Sequence, residues 1–158
     1  MNMKRNLILA LLLAAAIFIG ASCANAEVKV TIKNNRSHNL SFAFCWAGFD
    51  YEYDVSKGWY NVKAGESRTI TFKDAVYALT SENFGYYAYG TPKGGKTLYW
   101  KGKDDDEYMK FYIHKSEAFT GNHDDPISGG QKVSFRRVKL TEKGDSREDG
   151  SATLTFNP

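Results

Sequence analysis

Residues 28–34 read VKVTIKN and residues 40–46 read LSFAFCW, and these two stretches decide the fold. In the first, Val28, Val30 and Ile32 alternate with Lys29, Thr31 and Lys33. A period of two means a strand with one wet face. The intervening NNRSHN, residues 34–39, is a turn, because Asn and Ser side chains compete for backbone hydrogen bonds there. In the second stretch Leu40, Phe42, Phe44 and Trp46 form a large apolar face. Ser41, Ala43, Cys45 and Ala47 form a small-residue face, suited to lie under another layer or close to a loop.

The same pattern continues outward. GWYNVKAGESRTITF, residues 58–72, reads as a hairpin with Gly65 at its turn, a position with few steric limits. AVYALTS (75–81) and FGYYAYG (84–90) offer two more strands. The latter carries aromatics on both faces, so it is central or its outer face is covered. TLYW resumes at 97–100, and YMKFYIH alternates Met109, Phe111 and Ile113 against Tyr108, Lys110, Tyr112 and His114. Glu117 to Gln131 is the longest irregular stretch, and long loops in compact domains tend to be functional or mobile. In KVSFRRVKL, Val133 and Phe135 share one parity while Val138 and Leu140 share the other. That switch predicts a β-bulge at Arg136 or Arg137. SATLTF closes the chain with Ala152, Leu154 and Phe156 aligned, as a strand in the middle of a sheet. Eight or nine short strands and no convincing amphipathic helix predict an all-β fold. It is an antiparallel two-layer β-sandwich or a partly closed barrel.

The first residues bear on compartment. Lys4 and Arg5 precede an apolar run from Leu7 to Ile19, and Ala24 and Ala26 fit an A-x-A cleavage pattern. That order reads as a signal peptide over residues 1–26, with one domain over 27–158. The apolar run is shorter than the ~20 residues a membrane helix needs. Cys23 follows small residues, as in a lipoprotein signal, so lipid anchoring through Cys23 is the minority reading. Removing Lys4 and Arg5 with the leader lowers the formal net charge from +3 to +1. A balance that weak argues against nucleic acid as a partner, since phosphate binding wants a concentrated positive field. The domain then holds a single cysteine, Cys45, so no internal disulfide forms.

The residues VTIKNNRSHNLSFAF, GWYNVKAGES, YYAYG and WKG, in that order, resemble a bacterial family known only as domain of unknown function 1036. The resemblance rests on Asn34, Arg36, Gly58, Trp59, Gly65, the tyrosines at 86, 87 and 89, Trp100 and Gly102, and runs from Val28 to Phe119. It implies an exported or membrane-associated protein with no established activity. Many of the family's members also look to carry cysteines near the first Asn turn and after the late Trp-Gly pair. This chain has Ile32 and Lys33 before the turn and no cysteine after Trp100, so no disulfide or metal role of those cysteines transfers.

Catalytic chemistry leaves little trace. His38, His114 and His123 share no local motif with Cys45, and no nucleophile elbow is present. Glu66, Glu82 and Glu117 could act as a carboxylate pair only if tertiary folding joined them. The run Asp104–Glu107 lacks calcium-loop spacing and reads as a solvated turn. NHDD offers His123, Asp124 and Asp125 to a divalent ion, without a specified fourth ligand. The expectation is therefore no cofactor, no metal and no enzymatic activity. The protein reads as an exported binding or structural module for an envelope protein or surface glycan, contacted through Trp59, Tyr60, Tyr87 and Tyr89. The alternative is a hydrolase or divalent-metal-dependent enzyme acting on an envelope substrate. An exposed sheet edge that recruits an extended peptide is a further binding mode open to such a fold.

Overall fold

The computed structural model describes residues 27–48, 54–75, 77–143 and 149–158. The expected leader, with Cys23 and its cleavage site, lies outside the described residues. Among those residues twelve short strands form three sheets: β1 (Val28–Asn34), β2 (Leu40–Trp46), β3 (Val55–Val62), β4 (Ser67–Phe72), β5 (Phe84–Gly90), β6 (Leu98–Trp100), β7 (Lys110–His114), β8 (Phe119–Gly121), β9 (Gly130–Ser134), β10 (Arg136–Arg137), β11 (Thr141–Lys143) and β12 (Asp149–Phe156). One short helix, α1 (Tyr77–Ser81), interrupts them. No described helix is long and apolar enough to cross a membrane.

The first sheet runs β11-β12-β1-β4, the second β10-β5-β2-β3-β8 with β6 beside β5, and the third is the pair β7-β9. Period-two sorting explains the first core. Val28, Val30 and Ile32 of β1 meet Leu40, Phe42, Phe44 and Trp46 of β2, with Phe72, Phe84 and Phe156 between them. Each such side chain contributes on the order of 1.5–3 kcal/mol by leaving water. The small face of β2 is covered as well. Ala43, Cys45 and Ala47 pack with Tyr87 against Met109, Phe111 and Ile113, and with Phe135 just past β9. Small residues on one side leave room for large ones on the other, which keeps the interior close-packed. The middle sheet is thus buried on both faces. β5, flanked by β2 on one edge and by β6 and β10 on the other, carries aromatics toward both cores.

Five expectations are corrected. The two-layer antiparallel sandwich of eight or nine strands becomes three sheets, none closed into a barrel, and β1 and β12 run parallel. GWYNVKAGESRTITF is an arch, not a hairpin: β3 pairs with β2 and β8 in one sheet, while β4 pairs with β1 in another. Its turn chemistry reads as expected, with Gly65 at φ +71° and Glu66 N–H bonded to Lys63 O at 3.1 Å. AVYALTS contains α1 instead of a strand. The chain must cross there from β4 in one sheet to β5 in the other, and Ala78 and Leu79 fill the end of the first core.

The parity switch in KVSFRRVKL is a change of layer, not a bulge. Val133 and Phe135 serve the second core, and Val138 and Leu140 pack on the first. The bulge lies in β3 instead, where Phe42 pairs with Tyr60 and Ala43 with Gly58, leaving Trp59 as the extra residue. Finally, the stretch 117–131 is only partly irregular, since it contains β8 and the start of β9. The last strand does sit in the interior of its sheet, between β11 and β1.

One buried polar residue ties the arch to the first turn. Asn34 is fully buried, and its amide nitrogen donates to His38 O at 2.9 Å, Lys63 O at 2.9 Å and Val62 O at 3.2 Å. Its side-chain oxygen accepts from Arg36 N–H at 3.1 Å. A buried amide satisfied at both ends fixes two connections to each other without leaving an unpaired group.

Candidate metal centre

Sheet register assembles this site. In the β3–β8 ladder Ser56 faces Gly121 and Lys57 faces Thr120. Two residues further along that register, Asp54 falls opposite His123. The His123 backbone N–H accordingly donates to Asp54 Oδ2 at 3.2 Å. The loop after β8 then folds on Asn122, whose side-chain oxygen accepts from Asp124 N–H at 3.0 Å and Asp125 N–H at 2.6 Å. That Asx turn aims Asp124 back at the imidazole. The ligand-capable atoms of Asp54, His123 and Asp124 all lie within 4.8 Å of one another. Asp54 and His123 are half-buried and Asp124 is exposed.

The His123 ring stands edge-on to Phe111, with centroids 5.7 Å apart. Its Nε2 lies 3.2 Å from Glu107 O and its Nδ1 2.8 Å from Asp124 Oδ1. A carbonyl oxygen only accepts, so Nε2 carries the proton. The Nδ1 lone pair then faces a carboxylate, another acceptor. A neutral imidazole oriented by a backbone carbonyl, beside two carboxylates, is the donor set of a zinc-type site. Zinc bonds of ~2.0–2.2 Å set tetrahedral ligand atoms about 3.3–3.6 Å apart.

Two expectations change here. Of the trio read from NHDD, His123 and Asp124 join the cluster and Asp125 does not, because its carboxylate accepts from Asn122 Nδ2 at 2.8 Å. Asp54, 69 residues upstream of His123, takes its place. Neither end of the sequence signals the other; only the β3–β8 register does. The expectation of no enzymatic activity is also corrected. Three protein ligands with remaining coordination positions are what catalytic metal sites use, and the cluster argues against a confidently non-enzymatic chain.

The other acidic and nucleophilic candidates are otherwise engaged. Asp104 accepts from Lys101 and from Ser134, and those hydrogen bonds with the Lys101 charge hold its carboxyl below the usual range. Asp106 holds Arg137, and Glu107 pairs with Lys110. Glu66, Glu82 and Glu117 sit on three separate connections. The His114 Nδ1 accepts from Glu117 N–H at 2.9 Å, capping a turn. Burial pushes the Cys45 thiol well up, so it is an inert core residue and not a nucleophile.

The aromatic residues divide between the layers. Trp59, displaced by the bulge, joins Tyr87 and Tyr89 on the side of the second core, with ring centroids 6.1 and 5.1 Å away. Trp59 Nε1–H donates to His114 O at 3.0 Å, which fixes the indole. Tyr60 points the other way, against Phe44 and Phe72 of the first core. The structure therefore brings together Trp59, Tyr87 and Tyr89 and leaves Tyr60 apart. They line a cavity of about 300 Å³ with Tyr99, Lys115 and Gln131. Tyr87 is buried, not exposed, and burial together with neighbouring Tyr99 and Tyr89 pushes its hydroxyl up to about 12. Tyr99, 58% exposed at the mouth, was not singled out from the sequence. Its register opposite Tyr89 is the signal that places it.

No family model, no curated protein and no solved structure matches this chain.

Proposed function

We propose that the chain is an exported, divalent-cation-dependent hydrolase acting on a component of the cell envelope, with Asp54, His123 and Asp124 holding the cation. The proximity of those three groups, within 4.8 Å, carries the reading. A bound divalent cation would supply an activated water at neutral pH. The chain's own part is to fix the imidazole through Glu107 O and Phe111, and to hold the two carboxylates on facing segments. Export rests on the leader pattern in residues 1–26, and the resemblance to domain of unknown function 1036 agrees with it.

Zinc titration by calorimetry, with cobalt absorption as a spectroscopic check, tests the site. One saturable ion per chain is expected. At free zinc 100 times the dissociation constant the ion should raise unfolding free energy by about 2.7 kcal/mol. Asp54→Asn and His123→Ala should each abolish binding while the metal-free circular dichroism stays that of wild type. Saturable binding that both variants retain, or none in the wild type, overturns the reading.

A second reading keeps a role for the aromatic cavity. Trp59, Tyr87, Tyr89 and Tyr99 form a contiguous wall with Lys115 and Gln131 beside it, a pairing of ring faces and polar groups that suits a sugar. The domain would then engage a surface glycan, alone or as the hydrolase's substrate. Tyr99→Ala should abolish retention on a glycan array without changing Tm. An array on which wild type and variant behave alike removes this reading.

A further inference from the structure

A second cavity, of about 380 Å³, lies where the first turn, β6, β10 and β12 converge, and it is lined by Arg36, Arg136, Arg137 and Trp100 without one carboxylate. Three arginines in one lining are a large departure for a chain whose charges nearly balance. Arg137 is neutralised: its Nε and Nη2 grip Asp106 at 2.8 and 3.1 Å, and Nη1 donates to Asn83. Arg36 and Arg136 have no carboxylate partner among the described residues. The Arg36 guanidinium lies 4.9 Å over the Trp100 ring, which is itself held edge-on by Phe156 at 5.3 Å. Stacking orients the fork but supplies no acceptor, and Arg36 Nε is buried with no hydrogen-bond partner. A buried charged donor left unpaired is costly, so this geometry favours an acceptor arriving from outside. Arg136 lies opposite Tyr86 in the β10–β5 ladder, and both line the same cavity. Thr153, Thr155 and Asn157 complete the polar part of the lining.

We propose that this cavity binds a phosphate monoester, with Arg36 and Arg136 as its charged donors. Two guanidinium groups without a carboxylate partner suit the charge and the three terminal oxygens of a phosphate better than the single charge and two oxygens of a carboxylate. The volume holds the phosphate and a small attached group. This site shares no residue with the Asp54–His123–Asp124 cluster and stands independently of it.

Calorimetry of the whole protein with inorganic phosphate, glycerol phosphate and acetate tests the assignment. Flotation with phosphatidic acid vesicles, against phosphatidylcholine vesicles, separates a lipid headgroup from a soluble ester. Saturable binding of glycerol phosphate, or of phosphatidic acid vesicles alone, supports the site and identifies its source. Arg36→Lys keeps the charge but loses the fork, and Arg136→Gln removes a charge. Each should weaken binding by about tenfold or more, as loss of a charge-assisted hydrogen bond implies. Both should leave zinc binding as in wild type. Absence of binding to any phosphate probe, equal affinity for acetate, or unchanged affinity in both variants overturns the proposal.

Discussion

Phe44→Ala is expected to lower the unfolding free energy by about 3–5 kcal/mol, the range for removing a fully buried phenylalanine. Phe44 is completely buried in the middle of β2. Its ring lies 5.2 Å from Phe72, 5.9 Å from Tyr60, 6.0 Å from Phe84 and 6.1 Å from Phe42, centroid to centroid. Those neighbours come from four strands in two sheets, so they cannot collapse inward together without disturbing both ladders. The void therefore persists and adds to the lost transfer energy. A domain of this size typically has only about 5–15 kcal/mol in hand, so the change removes a large share. Urea denaturation followed by tryptophan fluorescence and circular dichroism measures it. A loss under about 1 kcal/mol would mean that Phe44 is not at the centre of the first core.

Gly102→Ala should destabilise by at least as much as severe overpacking does, about 3 kcal/mol, or roughly 10 °C in Tm. A Cβ built on Gly102 falls 2.1 Å from Phe135 O and 2.6 Å from Phe135 C. The obstacle is backbone, so no side-chain rotation relieves it. Gly102 N–H also donates to Ser134 O at 2.9 Å, which pins the two segments at this separation. One methyl group must push away the crossing between β9 and β10, and with it Phe135, a member of the second core. Differential scanning calorimetry on the purified variant checks the shift, and a wild-type Tm would refute the close approach. The sequence read Trp100 and Gly102 only as part of a resemblance; the glycine's physical reason is this contact.

Much of the strand layout was legible because burial leaves a mark every second residue. Val28, Val30 and Ile32 alternate in sequence and are all fully buried, and so are Met109 and Phe111, with Ile113 nearly so. The small face of β2 announced a covering layer, and Met109, Phe111 and Ile113 supply it. Parity, however, says only that a side chain faces inward, never which interior it faces. Val133 and Val138 are both inward, but toward different cores, and the switch mimicked a bulge. KAGES has the same local chemistry whether the chain returns to its own sheet or arches to the next. Pairing partners decide that, and they are remote.

The candidate sites show the same division. Tyr87 and Tyr89 share a face by parity alone. Tyr60 was grouped with Trp59 because the two are adjacent, yet neighbours in a strand face opposite ways, and Tyr60 packs on the first core while Trp59 packs on the second. His123 and Asp124 were visible as neighbours. Asp54 was not, since its place depends on β3 and β8 running antiparallel in one particular register. Arg36 was noted only for its turn, because the convergence of β6, β10 and β12 around it is entirely non-local.

The parallel pairing of β1 with β12 sets the order of events when the chain folds. Every residue of β1 from Val28 to Asn34 faces one from Gly150 to Phe156, a sequence separation of 122 at each rung. Closing so long a loop costs entropy before any rung returns it, and folds rich in such distant contacts form slowly. β1 therefore has one flank bare until β12, 122 residues further along, has been made. The first sheet cannot be acquired progressively from β1 onward; its completion waits on a distant segment.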